Sequence, residues 1–130
     1  MNFLKRLFGK DEESGEDLPI TLDVERRKAQ LGRLEKALDA LVDAMSEDPT
    51  QLSNPGWKGR IAEYGRLAGE AMTQRRSVPS RESLLDLCFE IRPVFSGEIP
   101  AGMEWIGPLQ DEVVAAAREL QELLPGERPN

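Results

Sequence analysis

The sequence predicts an all-α protein: a compact four-helix bundle-like single domain preceded by a short amphipathic N-terminal segment. Three observations carry that class. Nine prolines divide the 130 residues into intervals, because each proline removes a helix hydrogen bond and pushes the residue before it out of the helical region. Four long proline-free intervals repeat apolar residues at steps of three and four, the period of one helix face. The apolar fraction is 39% with only 5% aromatic residues, so aliphatic side chains must fill the core.

The first helix lies between Pro19 and Pro49, where Val24, Leu31, Leu34, Leu38, Leu41 and Met45 form one stripe. Thr21 or Asp23 supplies its N-cap, and the reading runs from about Asp23 to Ser46, about 35 Å at 1.5 Å per residue. After the turn-rich DPTQLSNPG, the residues Trp57, Ile61, Tyr64, Ala68, Ala71 and Met72 share a face and define a second helix over 56–76. Gly59, Gly65 and Gly69 interrupt it, each costing up to about 1 kcal/mol against Ala. The expected compensation is close approach of a neighbouring helix at Gly65 and Gly69, beside Ala62, which would make Gly65→Leu strongly destabilising.

Ser80 caps a third helix that aligns Leu84, Leu87, Cys88 and Ile91 and ends near Glu90, ahead of Pro93. An α+β alternative stays open here, because FEIRPVF alternates and, with SGEIPAG and MEWI, could make a small hairpin around residues 88–106. The last helix places Pro108 at its first position, with Asp111 and Glu112 in its early turns and Leu109, Val113, Ala116, Ala117, Leu120 and Leu124 inward. Gly126 stops it. The resulting organisation is an amphipathic segment over 1–10, an acidic flexible tether over 11–19, a helical domain over 20–125 and a disordered tail over 126–130.

Charge and composition exclude most chemistry. A formal charge of -7 repels a phosphate backbone, so no nucleic acid is expected as a partner. The lone Cys88 forms no intrachain disulfide and fits a reducing, cytoplasmic setting. No apolar run approaches the roughly 18 residues of a membrane span, and Lys5 and Arg6 interrupt the opening cluster too early for an export signal. With no His in the chain, His-dependent nucleophile pairs and ordinary zinc sites are excluded. Phosphate-loop, dinucleotide and EF-hand spacings are missing as well. The expectation is therefore no catalytic residue, no metal and no cofactor.

Three features remain as candidates. Glu35, Asp39, Asp43 and Glu47 stand at i, i+4 steps on the first helix, as do Glu82, Asp86 and Glu90 on the third. Like charges so spaced cost a few tenths of a kcal/mol per pair; the first ridge would dock a basic partner, and the plainer reading is a hydrated face. Trp57 and Trp105 head their segments beside glycine, as core plugs or as anchors for a ligand, while Cys88 faces inward as an inert thiol. In MNFLKRLFGK, a helix would set Phe3, Leu4, Leu7 and Phe8 on one face, with Lys5 and Arg6 opposite and Lys10 just beyond. That plane suits weak, reversible attachment to an anionic membrane surface, docking to another protein, or folding back on the core.

The function that fits is a non-enzymatic interaction protein, an adaptor or regulator with another protein as partner, at the inner face of a membrane if the opening segment attaches there. The alternative is a small helical enzyme or ligand carrier with a carboxylate-lined pocket near the Trp residues. The oligomeric state is not encoded in any feature of the sequence.

Overall fold

The computed structural model describes residues 20–129. Its four helices are α1 (Val24–Ser46), α2 (Pro55–Arg75), α3 (Arg81–Glu90) and α4 (Ile106–Glu119), and α1 packs against both α2 and α4. The fold is all-α. The chain divides into two compact units, one holding all four helices over Asp23–Glu122, the other drawn from the two ends, of which residues 20–22 and 123–129 are described.

Each helix starts where a side chain satisfies the free amides of its first turn. Asp23 Oδ1 accepts from Arg26 N at 3.3 Å, and Asn54 Oδ1 accepts from Gly56 N at 2.9 Å with Pro55 opening α2. Ser80 and Ser83 cap α3 reciprocally, each hydroxyl accepting from the other's amide at 3.0 Å. The last helix departs from expectation: it begins at Ile106, so Pro108 occupies its third position rather than its first, still within the turn whose amides lack intrahelical acceptors. It also ends at Glu119, leaving Leu124 outside it.

The α1 stripe is the centre of the core. Leu31, Leu34, Leu38, Leu41 and Met45 are all fully buried, joined by Tyr64, Leu67, Ala71, Leu84, Leu87, Ile106, Val113, Ala116 and Leu120 from the other helices and the end of α4. One position of the stripe is not apolar. Arg27 is 0% exposed, and its Nη1 donates to Gln30 Oε1 at 3.1 Å, Glu119 O at 3.2 Å and Leu120 O at 3.5 Å, while Nη2 donates to Glu122 O. Arg81 completes this clamp, its Nη1 donating to Leu120 O at 3.1 Å and its Nη2 to Gln121 O. The carbonyls at the end of α4, which no helical amide can reach, thus receive two guanidinium groups at the negative end of the helix dipole.

Residues 91–105 form no strand, so the hairpin alternative is not adopted. Side chains from the helices hold this irregular segment instead. Tyr64 Oη donates to Arg92 O at 2.6 Å, and Arg60 donates to Pro93 O at 3.4 Å and Val94 O at 3.1 Å. The buried Gln110 amide reads Phe95 twice, accepting from Phe95 N at 3.0 Å and donating to Phe95 O at 3.1 Å. Burial pushes the Tyr64 hydroxyl above its ordinary pKa.

Two expectations are corrected. A Cβ placed on Gly59, Gly65 or Gly69 would meet nothing within 4 Å, so those glycines face open space and no helix approaches them. The glycine with a close neighbour is Gly32, whose added Cβ would stand 3.4 Å from Arg75 Cδ. The tail is the second correction. In the unit formed by the chain ends, β1 (Ile20–Thr21) pairs antiparallel with β2 (Arg128–Pro129), and Glu127 is buried, its Oε1 accepting from Leu124 N at 3.0 Å. Residues 126–129 are therefore ordered by backbone pairing and a carboxylate turn.

Two stability measurements test this packing. Gly65→Ala should raise stability by up to about 1 kcal/mol in urea titration, since helix propensity is gained and nothing is displaced; a loss would show that the face is occupied. Arg27→Ala should lower stability by roughly 2–5 kcal/mol, because several buried carbonyls lose their donor, and Arg27→Lys should restore less than half of it because an ammonium cannot span the same carbonyls. A change below about 1 kcal/mol for Arg27→Ala would remove the clamp from the account of stability.

Candidate functional site

The first acidic ridge is split by the tertiary structure. Glu35 turns into an ion pair with Arg75, whose Nε and Nη2 donate to Oε1 at 3.0 and 2.8 Å. Asp39, Asp43 and Glu47 stay exposed, and none of the three has an ion-pair or hydrogen-bond partner among the described residues. The carboxyl of Asp39 is held above its ordinary pKa, first by desolvation and then by the charges of Glu35 and Asp43. Like charges one helical turn apart thus oppose ionisation on the surface of α1.

Grooves run along both ends of this ridge. One, of about 800 Å³, is lined by Gly32, Arg33, Lys36, Asp39, Arg75 and Glu112, among others. Its charges are largely spoken for within the fold, because Arg33 bridges Glu112 at 3.0 Å and Glu119, and Arg75 holds Glu35. The other, of about 560 Å³, brings Glu47 and Asp48 together with Pro100, Gly102, Met103 and Trp105. Asp48 is already used locally, its Oδ1 accepting from Thr50 N at 3.0 Å and Thr50 Oγ1 at 2.6 Å. Glu47 therefore ends the ridge at a cleft with an aromatic wall.

The two tryptophans have different roles. Trp57 is buried, its Nε1 donating to Met45 O at 3.0 Å, and it meets Trp105 edge to face with ring centres 6.5 Å apart. Such a pair adds about 0.5–1.5 kcal/mol beyond burial. Trp57 plugs the core, and only Trp105 borders a cleft.

Cys88 is buried, and desolvation raises its thiol pKa, with Sγ donating to Leu85 O at 3.3 Å. That environment disfavours the reactive thiolate. Among the described residues no three Cys, Asp or Glu side chains are grouped to hold a metal ion, and no helix is long and apolar enough to cross a membrane. The opening-segment candidates Phe3, Leu4, Lys5, Arg6, Leu7, Phe8 and Lys10 lie outside the described residues.

The third helix carries its own acidic face. Glu82, Asp86 and Glu90 are exposed, and Arg66 of α2 spans Glu63 at 3.0 Å and Glu90 at 3.5 Å. Between α2 and α3 these residues border a cleft of about 460 Å³ whose lining includes the buried Gln74. Sequence reasoning missed Gln74, because a polar residue on an apolar helix face gives no signal of what it meets across the interface. No protein-family model, characterised protein or solved structure matches the chain.

The strain of the α1 ridge is measurable. A carboxyl whose folded pKa lies above its unfolded value destabilises the native state when ionised, and that penalty disappears as pH falls through the raised pKa. Asp39→Asn should therefore increase stability at neutral pH by a few tenths of a kcal/mol. The gain should shrink in high salt and vanish below the ordinary carboxylate range. A variant equal to the parent at pH 7 and low salt would show that Glu35 and Asp43 do not oppose Asp39.

Proposed function

We propose that the chain is a non-enzymatic interaction protein, an adaptor or regulator that docks a basic protein segment along the Asp39–Asp43–Glu47 ridge. The observation that carries this reading is the ridge itself: three carboxylates kept exposed on the central helix, with no cation of the described fold set against them, although their repulsion costs stability. A local cost without a compensating internal contact is what a binding surface leaves in a sequence. The Trp105 cleft at the Glu47 end offers an aromatic wall where a partner's apolar or cationic side chain would be anchored.

In this proposal the protein works in the cytoplasm, and residues 1–10 bring it to the inner face of a membrane. Phenylalanine and leucine side chains gain about 1.5–3 kcal/mol each on burial, and each nearby cation adds about 1 kcal/mol on anionic lipid. One copy of such a segment gives reversible attachment, suited to a regulator. The same Trp105 cleft also supports the ligand-carrier reading, in which Glu47 would hold a small cation against the indole.

Affinity capture from native lysate separates these readings. The parent chain should retain proteins with basic segments, and Asp39→Lys with Asp43→Lys should lose them while keeping its melting temperature within a few degrees. Capture that is indifferent to the double variant would remove the ridge from the function. The opening segment is checked with anionic vesicles: sedimentation should be weak, should fall with rising salt as screening shortens to about 8 Å, and should be abolished by Phe3→Ser with Leu7→Ser. No sedimentation at low salt would remove the membrane from the proposal.

A further inference from the structure

The cleft between α2 and α3 contains a buried acceptor with nothing donating to it. Gln74 is 7% exposed, and its Nε2 donates to Glu70 Oε2 at 3.0 Å and Ser83 O at 3.1 Å. Its Oε1 is buried and has no hydrogen-bond donor. Turning the amide over does not help, because Oε1 would then face two acceptors and both existing bonds would be lost. The amide is thus fixed with its carbonyl unsatisfied, an arrangement that native proteins rarely leave in place.

What surrounds that acceptor defines the group it suits. Glu70, Ser83, Asp86 and Glu90 line the cleft with Gln74, and Asp86 has no partner among the described residues. The single cation at the cleft, Arg66, is engaged by Glu63 and Glu90. Every group left over is an acceptor. A divalent cation does not fit, since no three carboxylates among the described residues are grouped to ligate one. A planar group with several donors and one positive charge does fit, and a guanidinium carries five N–H donors in a fork that matches carboxylate and amide oxygens together. On α3, Phe89 is 68% exposed and follows Asp86 by three residues, which places an aromatic ring beside the acidic lip for the methylene stem and for cation–π contact.

We infer that the α2–α3 cleft is a docking site for an arginine side chain of a partner protein, received by Gln74 Oε1 and the carboxylates of Glu70 and Asp86 against the ring of Phe89. The inference rests on the reading of the chain as a docking protein and names the anchor that the partner supplies, at a surface separate from the α1 ridge. Small rotation of the Gln74 side chain within the cleft brings Oε1 to the incoming guanidinium, whose donors replace the missing bond.

The test uses the full chain and a hexa-arginine peptide, with amide NMR to locate binding and fluorescence anisotropy to measure it at physiological salt. The Gln74 side-chain amide and the backbone amides of Ser83 and Leu87 should shift on binding. Asp86→Asn with Glu70→Gln should weaken affinity at least fivefold, whereas Asp39→Asn with Asp43→Asn, which removes equal charge from α1, should change it less than twofold. Phe89→Ser should weaken it about threefold more than hexa-lysine binding is weakened by the same change. Equal losses from the two charge-removing pairs would show diffuse attraction and overturn the site. So would a Gln74 side-chain amide that stays unmoved at saturation, which is also the result if a resident water satisfies Oε1. Shifts confined to Asp39–Glu47 would overturn the cleft while leaving the ridge reading intact, and loss of ridge-dependent capture with the cleft shifts present would do the reverse.

Discussion

Arg27 sets the terms on which this bundle closes. It occupies a stripe position of α1 where an aliphatic residue would be the cheap choice, and it is fully buried. Removing a guanidinium from water costs several kcal/mol unless the interior gives back as many hydrogen bonds. The return comes from the end of α4, where the carbonyls of Glu119, Leu120 and Glu122 converge on it and Arg81 reaches Leu120 and Gln121 from α3. Three helices are thereby tied at one point. The requirement is mutual: the carbonyls are stranded without the cations, and the cations are uncompensated without a helix end to receive them.

The same solution recurs at the other irregular part of the domain. Residues 91–105 have no ladder partner, so their backbone groups are satisfied by side chains projecting from helices that are already fixed. Tyr64 and Arg60 take the carbonyls of Arg92, Pro93 and Val94, and Gln110 takes both polar groups of Phe95. Gly102 turns the chain with φ of +89°, and its amide donates to Glu104 at 3.0 Å. A hairpin over this stretch would have placed Pro93 in a ladder it cannot serve. Side-chain clamps make the ladder unnecessary.

Electrostatics divides the surface into charges used by the fold and charges left over. Glu35, Glu112 and Glu119 are drawn into pairs with Arg75 and Arg33 across helix interfaces, where partial burial makes them effective. Asp39, Asp43, Glu47 and Asp86 are not. Exposed pairs contribute little to stability in any case, so the uncommitted carboxylates are free of a structural role. Their placement on α1 and on the lip of the α2–α3 cleft is the physical basis for reading the protein as one that meets cationic partners.

Helix number and extent were legible in the chain because they depend on local rules. The α1 stripe, the Asp23 and Ser80 caps and the prolines at 49, 55 and 93 need no knowledge of the partner helices, and α1 to α3 start and stop within a residue or so of where those signals put them. What each face meets is a different matter. Gly65 and Gly69 read as a close contact, yet open space lies beyond them, because glycine records the absence of a side chain and not the presence of a neighbour. Arg27, Gln74 and Gln110 read as ordinary surface residues, since the carbonyls that Arg27 and Gln110 answer to, and the unmet acceptor of Gln74, arise only when distant segments are brought together. The acidic ridge on α1 was visible as a pattern, but only the packing of α2 decided that Glu35 would be spent on Arg75 while Asp39, Asp43 and Glu47 stay exposed. Periodicity and capping are properties of a segment and are written in it; satisfaction of buried polar groups is a property of an interface, and exists only in the folded molecule.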